Sequence, residues 1–258
     1  MEHDSRYFIE ALHRGLRILE VFSEETPELT LAEIVEAVGL DKSTAFRFVY
    51  TLQTLGYLER DPESKRYRPG LQVLKMGFTA LNSLDVAQLA RPYLKGLSEK
   101  TDEATNMALR DGAEIVYVVR ISPMQLVHIN LHVGSRLPAH CTSMGKALLA
   151  GLPREQVRAL LGEGPYEALT PKTITSLDEL IVELDQVGRQ GYAVSDEELV
   201  IGARSLAAPL RQTDGDTIAA INICVSSARL SRQEMEDRFA RPVVESAKRI
   251  STALGGRV

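Results

Sequence analysis

The chain has 258 residues, of which 44% are hydrophobic and 25% charged, and a formal net charge of −5. Such a length points to two domains, and the composition is that of an ordinary globular protein. No apolar run approaches the roughly 18 residues of a membrane span, the polar first 15 residues hold no signal-peptide core, and Cys141 and Cys224 give no disulfide framework. A cytoplasmic, reducing location is therefore expected, with no membrane partner.

The first predicted helix covers residues 6–23, with Phe8, Leu12, Leu16, Leu19 and Phe22 as its apolar stripe. It is expected to complete a three-helix core and to carry a dimer contact, since a symmetric dimer reads two half-sites. Arg14 and Arg17 read as solvated charges. Residues 29–60, LTLAEIVEAVGLDKSTAFRFVYTLQTLGYLER, carry the strongest local signal. Thr30 with Glu33 forms a possible capping box. Leu31, Ile34, Val35 and Val38 share one helical face, and Gly39 ends that helix. Asp41 is the N-cap of a second helix that continues through Phe46, Val49 and Tyr50 to Leu55-Gly56.

Two helices joined by a short Gly turn are the unit whose second helix enters the DNA major groove. Lys42, Ser43, Thr44 and Arg47 lie in the first two turns of that helix, where base edges and phosphates are reached. Tyr57–Arg60 and Lys65–Arg68 read as the strands of a β-hairpin wing around Asp61–Ser64, with Lys65 and Arg66 at its tip to contact phosphate or the minor groove. Across residues 41–68, six basic side chains face four acidic ones, a local basic excess in an acidic chain.

Pro69-Gly70 closes this domain, and residues 71–84 read as a linker helix with Leu71, Leu74, Phe78 and Leu81 on one side. A further helix starts at Asp85, with Val86, Leu89, Tyr93 and Leu97 apolar and a kink expected at Pro92. Strands are predicted at 104–112, 114–121 and 126–131. A long loop over 132–144 then leads into a helix at Gly145. Helices follow after Pro153 and over 176–190, strands at 192–194, 204–210 and 217–226, and a final helix over 231–254. The expected fold class is therefore α+β: a winged helix-turn-helix (1–70), the linker helix (71–84), and an effector-binding domain (85–258) with a mostly antiparallel sheet.

In the second domain, the loop PAHCTSM leads into a helix whose start offers the amides of Ser143, Met144 and Gly145 to a carboxylate. An ordinary N-cap is the competing reading. On the strand TIAAINICVS, Asn222 and Cys224 share one face, opposite Ile221, Ile223 and Val225. Ser205 is placed beside a pocket, while Arg204 is expected to pair with the acids of Ser195-Asp196-Glu197-Glu198.

The motifs LTLAEIVEAVGLDKSTAFRFVYTLQTLGYLER, RLPAHCTSMGKALLA, GYAVSDEELVIGARSLAAPL and AAINICVSSAR, in this order, resemble the IclR family of transcriptional regulators over residues 6–254. That resemblance implies a GAF-like effector domain that binds small organic acids, a homodimer or dimer of dimers, double-stranded operator DNA as partner, and no cofactor and no catalysis. Within the family the likeness leans to regulators of protocatechuate and 4-hydroxybenzoate catabolism (the PcaR, PcaU and PobR types), which implies an aromatic carboxylate or β-ketoadipate-type effector. Carried over by motif, the effector residues are Ser143, Met144, Ser195, Ser205, Asn222 and Cys224, with Arg120 as a further candidate for the carboxylate.

The alternative is a metal-binding or enzymatic second domain using Cys141 with His128, His132 or His140. No nucleophile signature surrounds Cys141, and the histidine spacing is not that of a zinc site. A DNA-architectural or RNA-binding module would explain the first 70 residues and leave the second domain idle.

Overall fold

A computed structural model describes residues 7–23, 25–122, 131–212 and 214–255. The chain divides into two compact units, Met1–Ser83 and Leu84–Val258.

The first unit holds α1 (Glu10–Glu20), α2 (Leu31–Val38), α3 (Lys42–Thr54), β1 (Leu58–Arg60), β2 (Tyr67–Pro69) and α4 (Leu71–Asn82). The capping box at α2 is present: Thr30 Oγ1 accepts from the Glu33 N–H at 3.3 Å and Glu33 Oε2 accepts from the Thr30 N–H at 2.6 Å. Gly39 ends α2 at φ +68°, a left-handed conformation that a side chain would resist. Asp41 then caps α3 through the Thr44 N–H at 2.9 Å. The antiparallel wing pairs Leu58 with Pro69 and Arg60 with Tyr67. Ile18, Leu29, Ile34, Val38, Val49, Leu58 and Tyr67 form the unit's core.

The first helix differs from the expected single stripe. Ile18 is its buried residue, whereas Leu12 and Leu16 are exposed. The helix carries two apolar sides, and the core uses only the one at Ile18. Of the expected apolar side of α4, Leu71, Leu74 and Phe78 are likewise exposed and Leu81 is half-buried; Met76, outside that side, is exposed as well.

The second unit opens with α5 (Asp85–Thr101), β3 (Ala104–Asp111), β4 (Glu114–Ile121), β5 (Arg136–Pro138), α6 (Ser143–Leu149), α7 (Arg154–Leu161) and α8 (Leu177–Gln190). It closes with β6 (Ala193–Asp196), β7 (Ala203–Arg211), β8 (Thr217–Ser226) and α9 (Arg232–Ala253). The strands build one antiparallel sheet in the order β5-β4-β3-β8-β7-β6. β5 interrupts the segment expected as one long loop, and α6 begins at Ser143 rather than Gly145. The strand expected at 126–131 lies outside the described residues except for Leu131, as does His128. In α5 the buried residues are Ala87, Ala90, Leu94, Leu97 and Ser98. Only Leu97 is shared with the predicted apolar side, because small alanines form part of the face that packs.

The sheet is covered on both faces. Thr105 Oγ1 donates to Leu94 O at 3.0 Å, so the odd residues of β3 look toward α5. Ala108, Ala207 and Ala220, on the other face, join Met144, Ala147 and Leu148 of α6 and Leu180 and Leu184 of α8 in a second core. Strict alternation breaks once. Between Met107 and Ala108 the pairing with β4 shifts, so that Asn106 faces Arg120 while Ala108 faces Tyr117. Val118 is the extra residue of this bulge. In a regular strand residues three apart point to opposite faces; the bulge brings Tyr117 and Arg120 to the same one.

Candidate functional site

In the first unit, α3 presents a solvent face of Lys42, Ser43, Phe46, Arg47 and Tyr50, with Thr44 half-buried beside it. Ala45 and Val49 turn inward and anchor the helix. The sequence reading treated Phe46 and Tyr50 as ordinary members of the helix; instead their rings stand in solvent, 6.3 Å apart between centroids. The face can donate hydrogen bonds from Lys42, Ser43 and Arg47 and offer aromatic surface to thymine methyl groups.

The wing tip divides. Lys65 is exposed, with φ +60° and its ammonium turned back to the Pro62 carbonyl. Arg66 corrects the expectation of an outward tip residue. Its guanidinium donates to Glu28 O at 2.9 Å and to Glu33 Oε2 at 3.3 Å, which ties the wing to α2. Its side chain is committed within the unit because Glu33, already fixed by the capping box, sits opposite it. Arg60 and Arg68 remain exposed at the wing, Arg60 lying 5.4 Å from the centre of the Tyr67 ring.

In the second unit, residues from five strands and one helix meet on the sheet face beneath α6. Ser195, Ser205, Cys224 and Ala104 stand opposite one another across β6, β7, β8 and β3. The adjoining row holds Ala207, Asn222, Asn106 and Arg120. Ser143 reaches this face from α6, its Oγ 2.7 Å from Ser205 Oγ. Asn106 Nδ2 donates to Asn222 Oδ1 at 2.8 Å, and Arg120 Nη1 donates to Asn106 Oδ1 at 3.2 Å. Burial pushes the Cys224 thiol up to about 11 against the pull of the Arg120 charge, so this cysteine is a neutral lining residue. Burial likewise raises the Tyr117 phenol, which stays protonated.

Three of the expected effector residues take other roles. Ser195 Oγ donates to Cys141 O at 3.0 Å and fastens the loop before α6 to β6. Met144 is fully buried in the core. Gly145 offers no free amide, because its N–H donates to Thr142 Oγ1 at 3.2 Å. The N-cap reading thus holds for the Gly145 amide, and the Met144 side chain belongs to the core. The glycine is required for a different reason: a Cβ there would lie 2.2 Å from Ala139 O.

Sequence reasoning missed Asn106 and Lys146. Lys146 is 1% exposed, and its ammonium lies 2.7 Å from Glu198 and 3.1 Å from Glu183 of α8. Burial raises the Glu198 carboxyl, and the Lys146 charge opposes that shift. The signal was a lone lysine inside an otherwise apolar helix. Arg204 pairs with Asp196 and, at 3.7 Å, with Glu197, as the sequence suggested, while Glu198 goes to Lys146 instead.

The alternative chemistry finds little support in these positions. Cys141 is buried and burial pushes its thiol up to about 12, far from a reactive thiolate. Among the described residues, no three histidine, cysteine or carboxylate side chains are grouped to hold a metal, and no helix is long and apolar enough to cross a membrane.

A winged helix-turn-helix that exposes a polar and aromatic recognition face, in one chain with a domain that gathers amides, hydroxyls and an arginine under a helix, defines a ligand-responsive DNA-binding regulator. Comparison with known proteins gives the family. Residues 11–62 match the IclR helix-turn-helix domain, and residues 78–252 match the IclR C-terminal domain of bacterial transcriptional regulators. The chain is 36% identical to the Pca regulon regulatory protein of Pseudomonas putida, over 94% of its own length and 82% of that protein's. It is 34% identical to the transcriptional regulator XynR of Escherichia coli, covering 96% and 98% of the two chains. The structure of an IclR homolog complexed with 4-hydroxybenzoate, from Microbacterium hydrocarbonoxydans, superposes with a TM-score of 0.80 at 27% identity, covering 95% of this chain and 99% of that one. The protein belongs to the IclR family: it is a DNA-binding transcriptional regulator with a C-terminal effector-binding domain.

Proposed function

We propose that the effector is a small organic acid of the aromatic carboxylate or β-ketoadipate type, held on the sheet face beneath α6. The observation that carries this reading is the row Arg120–Asn106–Asn222, a half-buried cation at the end of a buried amide pair. Ser143 and Ser205 add hydroxyls beside it. The likeness to a Pca regulon regulator, and to a homolog that holds 4-hydroxybenzoate, supports the same chemistry. In this reading Cys224, Tyr117 and Ala207 supply the apolar lining for a ring.

Lys42, Ser43, Thr44 and Arg47, with Lys65, contact operator DNA. The uncovered apolar sides of α1 and α4 pair with a second copy, which gives a dimer with two recognition helices. Effector binding biases α4, taken as the linker helix, between two arrangements and so changes how the two helices match their half-sites. A coupling of about 1–3 kcal/mol is typical of such regulation, and it requires unequal effector affinity for the two states.

The test is a mobility-shift titration on the DNA upstream of the gene and its neighbours, with and without protocatechuate, 4-hydroxybenzoate, β-ketoadipate and glyoxylate. A specific shift that responds to an aromatic acid or β-ketoadipate is the expected result. A specific shift indifferent to all four acids removes the effector assignment. Asn222→Leu should blunt the response and leave DNA binding intact; equal loss of both sinks the site.

A further inference from the structure

The amide pair on the sheet face is directional, and its direction is set from one end. A guanidinium has N–H donors and no acceptor. Arg120 Nη1 lies 3.2 Å from the Asn106 side chain, so that amide must turn its oxygen toward the arginine. The Asn106 nitrogen then faces β8, where it can only donate, and Asn222 must answer with its oxygen, at 2.8 Å. What Asn222 has left is its NH2 group, which has no partner among the described residues. Asn106 and Asn222 are 1% and 3% exposed, so water does not readily scramble the order, and reversing either amide would bring two donors or two acceptors face to face in a buried place.

We infer that Arg120 acts through Asn106 to present Asn222 as a hydrogen-bond donor, so that this site selects a ligand bearing an acceptor (a carboxylate or carbonyl oxygen) and rejects one that brings an N–H donor to the same place. Asn106 is a positioning residue; Asn222 makes the contact. This rests on the proposed location of the effector site, and it deepens that reading by assigning the polarity of the recognised group. The β4 bulge is part of the device, because it brings Arg120 to the Asn106 register while Tyr117 keeps to the same face.

Asn106→Asp tests the relay with almost no change of shape. An aspartate accepts from Arg120 with one oxygen and, with the other, can only accept from Asn222. The Asn222 amide must then reverse and show its oxygen to the ligand. The chain contains four asparagines, Asn82, Asn106, Asn130 and Asn222, so 15N-asparagine labelling gives four side-chain NH2 pairs, assignable by single Asn→Asp variants. In the unsubstituted protein a downfield, hydrogen-bonded proton is expected in the Asn106 pair and not in the Asn222 pair. In Asn106→Asp it should pass to Asn222. A downfield Asn222 proton before substitution, or an Asn222 pair that Asn106→Asp leaves unchanged, overturns the inference. If Asn106→Asp does not fold, Arg120→Met serves: the downfield Asn106 proton should be lost, and its persistence overturns the inference equally.

The ligand arm uses 4-hydroxybenzoate and 4-hydroxybenzaldehyde, which replaces the carboxylate by an uncharged aldehyde whose oxygen only accepts, measured by calorimetry. Both should weaken about tenfold or more in Asn106→Asp, and loss of the acid alone would mean charge repulsion rather than reversal and would overturn the polarity assignment. Should neither compound bind the unsubstituted protein, the effector reading fails, while the amide spectra still decide the relay.

Discussion

The two candidate sites of this protein are built in opposite ways. The recognition face of α3 is one helix long, and most of it stands in solvent. The effector face is assembled from β3, β4, β7, β8 and α6, and Asn106, Asn222 and Ser143 are buried there. Most side chains of the α3 face stand in solvent, whereas Arg120, Asn106 and Asn222, and likewise Ser143 and Ser205, are already hydrogen-bonded to one another. A surface site can therefore lose a side chain at little cost to folding. A buried one cannot, because every group removed leaves a desolvated neighbour.

Lys146→Met should show the contrast most strongly. It strands the Glu198 and Glu183 carboxylates, and breaking a buried pair from one side typically costs about 3–5 kcal/mol. Calorimetry should record a large fall in the melting temperature of the second unit, with the transition of the first unit unmoved. A change confined to DNA affinity would contradict the structural role assigned to Lys146. Gly145→Ala comes next. A methyl group driven against the Ala139 backbone should destabilise the same unit by about 1–3 kcal/mol, readable in urea unfolding.

Arg47→Ala should reverse the pattern. If Arg47 reads a base edge, operator binding weakens by about 1–3 kcal/mol, while the melting temperature hardly changes. An equal loss on operator and random DNA would reassign it to phosphate contact.

The smallest effect is a matter of pH. Hydrogen bonds from Lys172, Ser227 and the Gly202 N–H hold the Glu197 carboxyl at about 2, below the ordinary 4.5. A depressed folded-state value means stability that is present above pH about 4.5 and lost as pH falls toward about 2. Glu197→Gln should flatten that acid limb in a pH series of thermal melts, and an unchanged limb would remove Glu197 from the account.

The same contrast explains what was legible in the sequence. The capping box at Thr30 and Glu33, the Gly39 stop, the Asp41 cap and the wing are signals within a few residues of one another, and each is present. The sidedness of α1 was misjudged because its apolar residues exceed what the core covers. Asn222 and Cys224 could be placed on one face of a strand by alternation alone. Asn106 could not be joined to them, because its partner lies 116 residues away and only strand order brings the two together. Arg66 was assigned by position in the hairpin, and the acid that draws it inward lies on another element.

The bulge at Met107 and Ala108 makes the candidate effector site depend on strand pairing as well as on side chains. Val118 supplies the surplus residue on β4, so deleting it would restore regular alternation. The β-hairpin would still be apolar and still pair. Tyr117 and Arg120 would then stand two residues apart, so regular alternation would keep Arg120 on this face and opposite Asn106; pairing the same strand without the bulge, Val118 in place, would instead turn Arg120 to the far side and take from Asn106 the neighbour that orients it. The side that Arg120 takes is therefore set by where the surplus residue of β4 is set aside and not by the side chains around it.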